Sequence, residues 1–269
     1  MVATPIGNLE DLTRRGERVL GEVSRIAAED TRRTGLLLHH LGLHTPMISL
    51  HAHNEARRVE TVLEMLDLGE DVALVSDAGT PLVSDPGARL VAAVVERGHT
   101  VVPIPGASAV LASLVGSGLP CDRFLFLGFI PRKGRARDST LERISESSEA
   151  CVVFESPERL VPLLEDLSGR LGASRRVSIG RELTKVHEEF RRGTATELAA
   201  YYTTHPARGE VSVVVEGGPE AEAVDPEAVR ARARALLDEG LAPSQVAKEV
   251  ARSMGVARNR AYDMVHELK

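Results

Sequence analysis

Three loops in the first half of the chain contain the small and polar residues that ligand-binding turns require. They occupy residues 5–8, 76–87 and 103–108, and the last two follow short apolar runs. Open α/β sheets bind ligands at the carboxyl ends of their strands, and Gly79 and Gly106 would let the backbone approach a ligand closely.

The chemistry that these loops offer is the binding of a charged or polar small molecule. Asp77 and Asp85 would face the crevice as carboxylates, and free N–H groups of a helix that begins after residue 106 could hold a carboxylate or phosphate. No loop has the G-x-G-x-x-G or P-loop spacing, so nicotinamide and ATP lose their strongest support. An ordinary βα turn explains any one loop better, but three on one sheet favour a ligand site.

Alternating strand and helix signals predict the elements that position these loops. Short β-branched runs alternate with stretches of helical period, a pattern typical of parallel βα units. Residues 55–68, for example, place apolar side chains at i, i+3, i+4 and i+7. The predicted strands are 23–28, 47–50, 72–76 and 100–104 in the first half, and 124–128, 151–155, 177–181 and 211–216 in the second.

The chain of 269 residues is too long for one ordinary domain. A break at Gly118-Leu119-Pro120 predicts two α/β domains, residues 1–117 and 118–220, followed by a helical tail at 221–269. The tail has a helix with Ser244 as a candidate N-cap, a glycine turn and a second helix, which together predict a helix-turn-helix.

Bulk composition restricts the classes of function. The net charge of -6 argues against a chain coated with positive charge, and with 3% aromatic residues no stacking platform for single-stranded nucleic acid is visible. Two cysteines without metal spacing indicate a reducing compartment, and without a leader or membrane-length apolar stretch we expect a cytoplasmic protein. Two locally basic runs, at residues 132–143 and 170–193, could form a phosphate-binding surface.

Further motifs lie at residues 27–32, 50–55, 128–131, 154–157 and 181–185. With the three loops, they resemble, in order over essentially the whole chain, a family of small-subunit ribosomal RNA methyltransferases within the tetrapyrrole-methylase superfamily. The resemblance implies the class III methyltransferase fold, with S-adenosylmethionine folded into a cleft between the two α/β domains. It also implies homodimerisation and methyl transfer to the 2'-oxygen of a cytidine in 16S rRNA.

The same resemblance assigns cofactor contacts by position. In the first domain they are Pro5, Ile6, Gly7, Asp77, Ala78, Gly79, Thr80, Pro81, Ser84, Asp85, Ala107 and Ser108, and in the second Phe154, Leu183, Val211 and Val213. Such proteins usually have several more apolar residues before the segment at residues 2–5, so we expect a shortened first strand.

A ribose hydroxyl needs a general base to become a good nucleophile. Asp30, Glu155, Glu182 and Lys185 are the candidates for that base or for substrate positioning. Asp30 could instead cap a helix that begins at Thr31, and Glu182 and Lys185 could belong to a structural ion-pair network. Five histidines lie between residues 39 and 53, but without a metal-ligand motif we expect no metal.

The loop containing Arg132, Lys133 and Arg135 is the best candidate for RNA contact, because arginine pairs well with phosphate. Arg258 and Arg260 in the tail could add to it, although such helix pairs also serve as packing elements. Two alternatives remain open: a methylase acting on a tetrapyrrole carbon, and a noncatalytic nucleic-acid-binding regulator that uses the tail as its reader.

Overall fold

The computed structural model describes residues 1–219, 226–256 and 258–268, with the backbone alone for 226 and 258–260. The described residues form two α/β domains and a helical tail, which agrees with the predicted fold class, and the tail has three helices. The strands are β1 (Arg25–Ala28), β2 (Met47–Ser49), β3 (Val72–Val75), β4 (Phe124–Phe129), β5 (Ala150–Glu155), β6 (Arg176–Arg181), β7 (Glu189–Thr194) and β8 (Val211–Val215). The helices are α1 (Arg14–Glu22), α2 (Thr31–His40), α3 (Glu55–Asp67), α4 (Ala88–Glu96), α5 (Ala109–Gly116), α6 (Arg135–Glu146), α7 (Leu160–Ser168), α8 (Ala195–Thr204), α9 (Pro226–Asp238), α10 (Pro243–Met254) and α11 (Arg258–Glu267).

The first sheet has the parallel order β2-β1-β3. The N-terminal segment extends it, because the Val2 N–H donates to the Leu74 carbonyl at 2.9 Å and the Ile104 N–H donates to the Met1 carbonyl at 2.8 Å. The strand predicted at residues 100–104 is therefore wrong in extent, since the segment pairs only through a bridge between Val2 and Ile104.

Helices cover both faces of this sheet. Leu20 of α1 and Leu38 of α2 pack against one face, and Leu63 of α3 and Leu90 of α4 pack against the other. Because the three strands are parallel, their carboxyl ends share one edge, and the segments that follow Ala28, Ser49 and Val75 leave from it.

The second sheet has the order β4-β5-β8-β6-β7, and only its β4–β5 pair is parallel. The expectation of parallel βα units is wrong for this domain. β7, which the sequence did not predict, has the polar sequence of an edge strand rather than a β-branched run. Helices α7 and α8 cover one face of the sheet.

Helix α5 covers the other face of the second sheet although it precedes the predicted boundary between residues 117 and 118. Its Val110 and Leu114 pack against Val152 of β5 and Val214 of β8. A first-domain helix therefore completes the core of the second domain.

The tail forms a small core of its own, in which Val229 of α9, Val246 and Val250 of α10 and Val265 of α11 are buried together. The N-cap of α10 is Ala242, so the expectation of Ser244 as the cap is wrong; Pro243 takes the first helical position, for which its fixed φ suits it. Among the described residues, no helix is long and apolar enough to cross a membrane.

The guanidinium of Arg175 ties α6 to the end of the second domain. It donates to the backbone carbonyls of Glu216 at 2.6 Å, of Ile144 at 2.9 Å and of Ser147 at 2.8 Å, and also to that of Ser145. The Ile144 and Ser145 carbonyls lie in the last turn of α6, where no intrahelical N–H is available, and Ser147 and Glu216 follow the ends of α6 and β8. A part-buried carbonyl left without a donor is costly. This arginine of the second basic run is therefore a structural clamp.

We expect Arg175→Met to lower the free energy of unfolding by about 2–4 kcal/mol, because several buried carbonyls lose a charged donor. Chemical denaturation monitored by circular dichroism measures this loss. Arg176→Met is the matched control; its side chain is exposed, and the change should stay within about 0.5 kcal/mol. Equal losses in the two variants would contradict the clamp.

Candidate active site in the cleft between the two domains

A cavity of about 430 Å³ lies between the loops of the first sheet and the strand ends of the second. The first domain contributes Ile6, the loop at 77–85 and the start of α5, so the three predicted loops meet at one place. The second domain adds Phe129, Phe154, Glu155, Ser156, Pro157, Gly180, Leu183, Gly209, Glu210, Val211 and Ser212.

Hydrogen bonds between the loops hold the first-domain wall. Thr4 and Gly79 exchange two backbone hydrogen bonds of 2.9 and 3.0 Å, and the Thr80 hydroxyl donates to the Ala107 carbonyl at 3.1 Å. Gly79 has a φ of +81°, and a Cβ there would lie 3.2 Å from Ile6. A side chain at this position would be strained and would crowd the wall, so glycine keeps the cleft open.

Two residues near Gly79 occupy the left-handed region without being glycine. Leu82 has a φ of +74° and Ser84 a φ of +70°. Such backbone costs of order 1 kcal/mol or more per residue and is concentrated at ligand-binding sites. The loop is therefore held in a shape that local preferences alone would not select.

Three carboxylates gather at the first-domain side of the cleft. Glu29 accepts a hydrogen bond of 3.4 Å from the Asp77 N–H, and Asp77 accepts one of 2.9 Å from the Asp30 N–H. Burial raises the pKa of Asp85 and of Glu29, and the neighbouring negative charges raise both further. The Arg33 guanidinium lies 3.6 Å from Asp77, but one positive charge does not balance three carboxylates, so this wall would stabilise a bound cation.

Glu155 is the only one of the four predicted base candidates that lines the cavity. Glu155 is 3% exposed. One of its carboxylate oxygens accepts a hydrogen bond of 2.9 Å from the Ser156 N–H, and the other lies 2.8 Å from a guanidinium nitrogen of Arg159. Burial raises the pKa of Glu155 despite these partners.

Asp30 lies at the start of α2 and is its N-cap. Its carboxylate accepts the Arg32 N–H at 2.9 Å and pairs with the Arg32 guanidinium at 2.7 Å. These contacts with Arg32 lower the pKa of Asp30 to about 2. A carboxylate so strongly stabilised in its ionised form accepts a proton poorly.

Glu182 and Lys185 form the ion-pair network that was the structural alternative. The Lys185 ammonium lies 2.7 Å from Glu182 and 3.0 Å from Glu210. Hydrogen bonding to Lys185 lowers the pKa of Glu182; burial opposes protonation of Lys185, but the two carboxylates outweigh it and raise its pKa. A Cβ on Gly7 would collide with the Lys185 side chain, so this network abuts the first domain.

The predicted cofactor contacts divide into two groups. Those that line the cavity are Ile6, Asp77, Ala78, Gly79, Thr80, Ser84, Asp85, Ser108, Phe154, Leu183 and Val211. Those that do not are Pro5, Gly7, Pro81, Ala107 and Val213. Val213 is fully buried in the middle of β8, whereas Val211 lies at the strand end that opens to the cleft.

Several lining residues were not predicted from the sequence. Arg33 lines the cavity from α2, which follows β1, and it lies one residue beyond the polar motif at 27–32. Phe129, Gly180 and Ser212 converge from β4, β6 and β8, which no local pattern places together. A Cβ on Gly180 would lie 2.9 Å from the Ser212 hydroxyl, so this glycine also preserves open space.

The two basic runs differ in how much of their charge is free among the described residues. Arg132, Lys133 and Arg135 are exposed and have no ion pair among the described residues. In the second run most of the charges are used internally, although Arg176 is exposed: Arg181 and Arg191, for example, pair with the same carboxylate, that of Glu189. The expectation of a phosphate-binding surface there is therefore not supported by the packing.

The remaining predicted features are the arginines of the tail and the cluster of histidines. The side chains of Arg258 and Arg260 lie outside the described residues. The rings of His51 and His53 contact each other at 5.9 Å, and within the described part of the chain no group of three metal-ligating side chains is present.

The fold and its paired-domain cleft correspond to a known class. The family model of tetrapyrrole (corrin/porphyrin) methylases matches residues 1–199. Cobalt precorrin-4 methyltransferase has a TM-score of 0.61 at 15% identity, covering 80% of this chain and 92% of its own. Uroporphyrin-III C-methyltransferase from Thermus thermophilus, solved with S-adenosylhomocysteine, has a TM-score of 0.56 at 18% identity, covering 80% of this chain and 95% of its own. The chain is a tetrapyrrole-methylase-fold protein.

Sequence relatives narrow the class. Proteins named ribosomal RNA small subunit methyltransferase I are 44% identical in Synechocystis sp., over all of this chain and 97% of the relative. The Haemophilus influenzae protein is 42% identical over 97% of this chain and 94% of the relative. The Escherichia coli O157:H7 protein is 44% identical over 97% of this chain and 92% of the relative. The chain belongs to the ribosomal RNA small subunit methyltransferase I family.

Proposed function

We propose that this chain is an S-adenosylmethionine-dependent methyltransferase that methylates the ribose 2'-oxygen of a cytidine in 16S rRNA of the small ribosomal subunit. The observation that carries the proposal is the cleft, in which strained small-residue loops and carboxylates face strand ends of a second domain. The names of the full-length relatives support the RNA substrate.

The shape and charge of the cleft fit S-adenosylmethionine, which is a cation. Gly79 and Gly180 leave room where a Cβ would intrude, and the carboxylates of Asp85, Glu29 and Asp77 favour positive charge. When bound, the cofactor supplies a methyl group attached to a sulfonium, and the neutral thioether that remains is a leaving group that needs no acid. The protein therefore has to hold the two reactants in line, which can contribute on the order of 7 kcal/mol or more.

The protein must also remove the proton of the ribose hydroxyl. Glu155 is the best placed of the candidates, because it lines the cavity and burial raises its pKa towards the range of a useful base. Its carboxylate would accept the proton as the 2'-oxygen bonds to the methyl carbon. Asp30, Glu182 and Lys185 would instead position the walls, since none of them lines the cavity and their ion pairs move each pKa away from the range of a useful base.

The remaining parts of the proposal concern partners. The exposed loop with Arg132, Lys133 and Arg135 would bind RNA phosphates. Homodimerisation is part of the proposal, and Leu111 and Val115, exposed on α5, offer apolar area for it. An enzyme with this substrate works in the cytoplasm.

Transfer of labelled methyl groups tests the function directly. We expect incorporation into small ribosomal subunits, and mass spectrometry of 16S rRNA from a deletion strain should show one cytidine without its 2'-O-methyl group. Methylation of a tetrapyrrole carbon instead would favour the metabolic alternative. Absence of S-adenosylmethionine binding in calorimetry would leave only the noncatalytic RNA-binding alternative.

Asp85→Asn should weaken S-adenosylmethionine binding roughly tenfold, because the cation loses a charged neighbour. Since burial raises the pKa of Asp85, wild-type affinity should rise as pH increases through that pKa, and the variant should depend less on pH. Calorimetry at several pH values measures both effects. Asp122→Asn, which removes an equal charge from the exposed interdomain connection, should bind normally; an equal loss there would contradict the local effect.

Glu155→Gln should lower kcat by about 10²–10⁴-fold while leaving cofactor affinity within about twofold, because the variant keeps its shape but cannot accept a proton. Single-turnover methyl transfer and calorimetry separate the two quantities. Glu182→Gln is the control and should lose far less. A near-normal rate for Glu155→Gln would show that the base lies elsewhere.

The same variant has a predicted effect on stability. Because burial raises the pKa of Glu155 in the folded state, ionisation of this group opposes folding. The wild-type free energy of unfolding should therefore fall relative to that of Glu155→Gln as pH rises from 4.5, the unperturbed value, through the raised pKa. Denaturation at several pH values checks that the carboxyl titrates as described.

Neutralising Arg132, Lys133 and Arg135 together to Gln should weaken RNA binding and make it less salt-dependent, because fewer counterions are released. Filter binding over a salt series measures both changes. A matched variant with Arg14, Arg15 and Arg18 of α1 changed to Gln removes the same charge from a surface outside the cleft. Equal behaviour of the two variants would remove the loop from the RNA site.

A further inference from the structure

An exposed aromatic ring lies at the mouth of the cleft. Phe129 is 60% exposed although it ends a strand and lines the cavity. Its ring meets the Phe154 ring edge to face, with the centroids 5.5 Å apart, and Phe154 in turn meets Phe126 at 5.0 Å. The ring is therefore supported from behind while the rest of its surface faces solvent.

A bulge in β4 creates this exposure. Leu127 packs on the face of the sheet that α7 and α8 cover, whereas Phe126 packs on the α5 face. Strict alternation along the strand would bury Phe129 beside Leu127. The register instead shifts between residues 126 and 129, and Gly128 takes a φ of +67°, which brings Phe129 to the Phe154 side of the sheet and to the cleft.

Positive charge follows the ring directly along the chain. Arg132, Lys133 and Arg135 are exposed, and no ion pair neutralises them among the residues that the structure describes. A supported aromatic face beside unpaired basic side chains matches the two chemical parts of single-stranded nucleic acid, a flat base and a charged backbone. A purely apolar protein partner would gain nothing from those charges.

We propose that Phe129 stacks on an unpaired nucleobase of the RNA substrate while the adjacent basic loop holds the neighbouring phosphates. The inference deepens the proposed function and rests on it for the identity of the RNA. It assigns Phe129 to substrate binding, next to the cofactor walls formed by Phe154 and Asp85. One ring is sufficient because the bulge fixes its position at the cleft mouth.

Binding of a short oligocytidylate and of an abasic oligonucleotide of equal length tests the stacking. The wild-type chain should prefer the oligonucleotide with bases by roughly tenfold. Phe129→Ala should lose that preference, and Phe129→Tyr should keep it, since the aromatic face survives. Phe124→Ala is the matched control, because Phe124 is also exposed but begins the same strand and does not line the cavity.

The charge component should separate from the base component. Neutralising the three basic residues should weaken the binding of both oligonucleotides by the same factor, since both contain phosphates. If Phe129→Ala retains the preference for bases, the proposal is overturned. It is also overturned if that variant loses S-adenosylmethionine affinity or changes its solution mass, because the ring then serves the cofactor or a second subunit.

The test of stacking and the test of the proposed function can fail separately. Methyl transfer by the wild-type chain to small subunits tests the reaction, whereas the oligonucleotide preference is measured without any transfer. A preference that depends on Phe129 together with absent transfer would leave the stacking intact and remove the reaction. Transfer without such a preference would do the reverse.

Discussion

The packing of α5 on the second sheet is the interaction on which the cleft depends. Val110 and Leu114 fill the face of that sheet, and Arg192 of β7 donates to the carbonyls of Gly116 and Ser117 where the helix ends. Ser108, in the cofactor-side loop, is the N-cap of this helix. One element thus connects the first-domain loops to the second-domain core, so the cavity walls keep their separation.

Charge is divided between the interior of the cleft and its mouth. The carboxylates at Glu29, Asp77 and Asp85 suit a small cation, whereas the loop that begins at Arg132 suits a polyanion. Exposed charges are screened over about 10 Å at ordinary salt, so the loop can act as a local positive surface on an acidic chain. A chain of net charge -6 can therefore bind RNA through one local surface.

The pKa directions separate positioning groups from a candidate base. Asp30 and Glu182 are held ionised by Arg32 and Lys185, so their carboxylates contribute to the shape and charge of the walls. Glu155 is destabilised in its ionised form by burial. The sequence offered these residues as equals, and only their surroundings distinguish them.

The sequence by itself determined the elements and the three small-residue loops, because periodicity and glycine are local signals; every predicted strand except the one at 100–104 is present. It could not place β7, whose polar residues pair only with β6, or assign α5 to the second core. Nor could the sequence show that the Arg175 guanidinium donates to backbone carbonyls or that a bulge exposes Phe129 at the cleft. These features depend on contacts between residues distant in sequence, and a local pattern shows which face a residue prefers but not what will cover it.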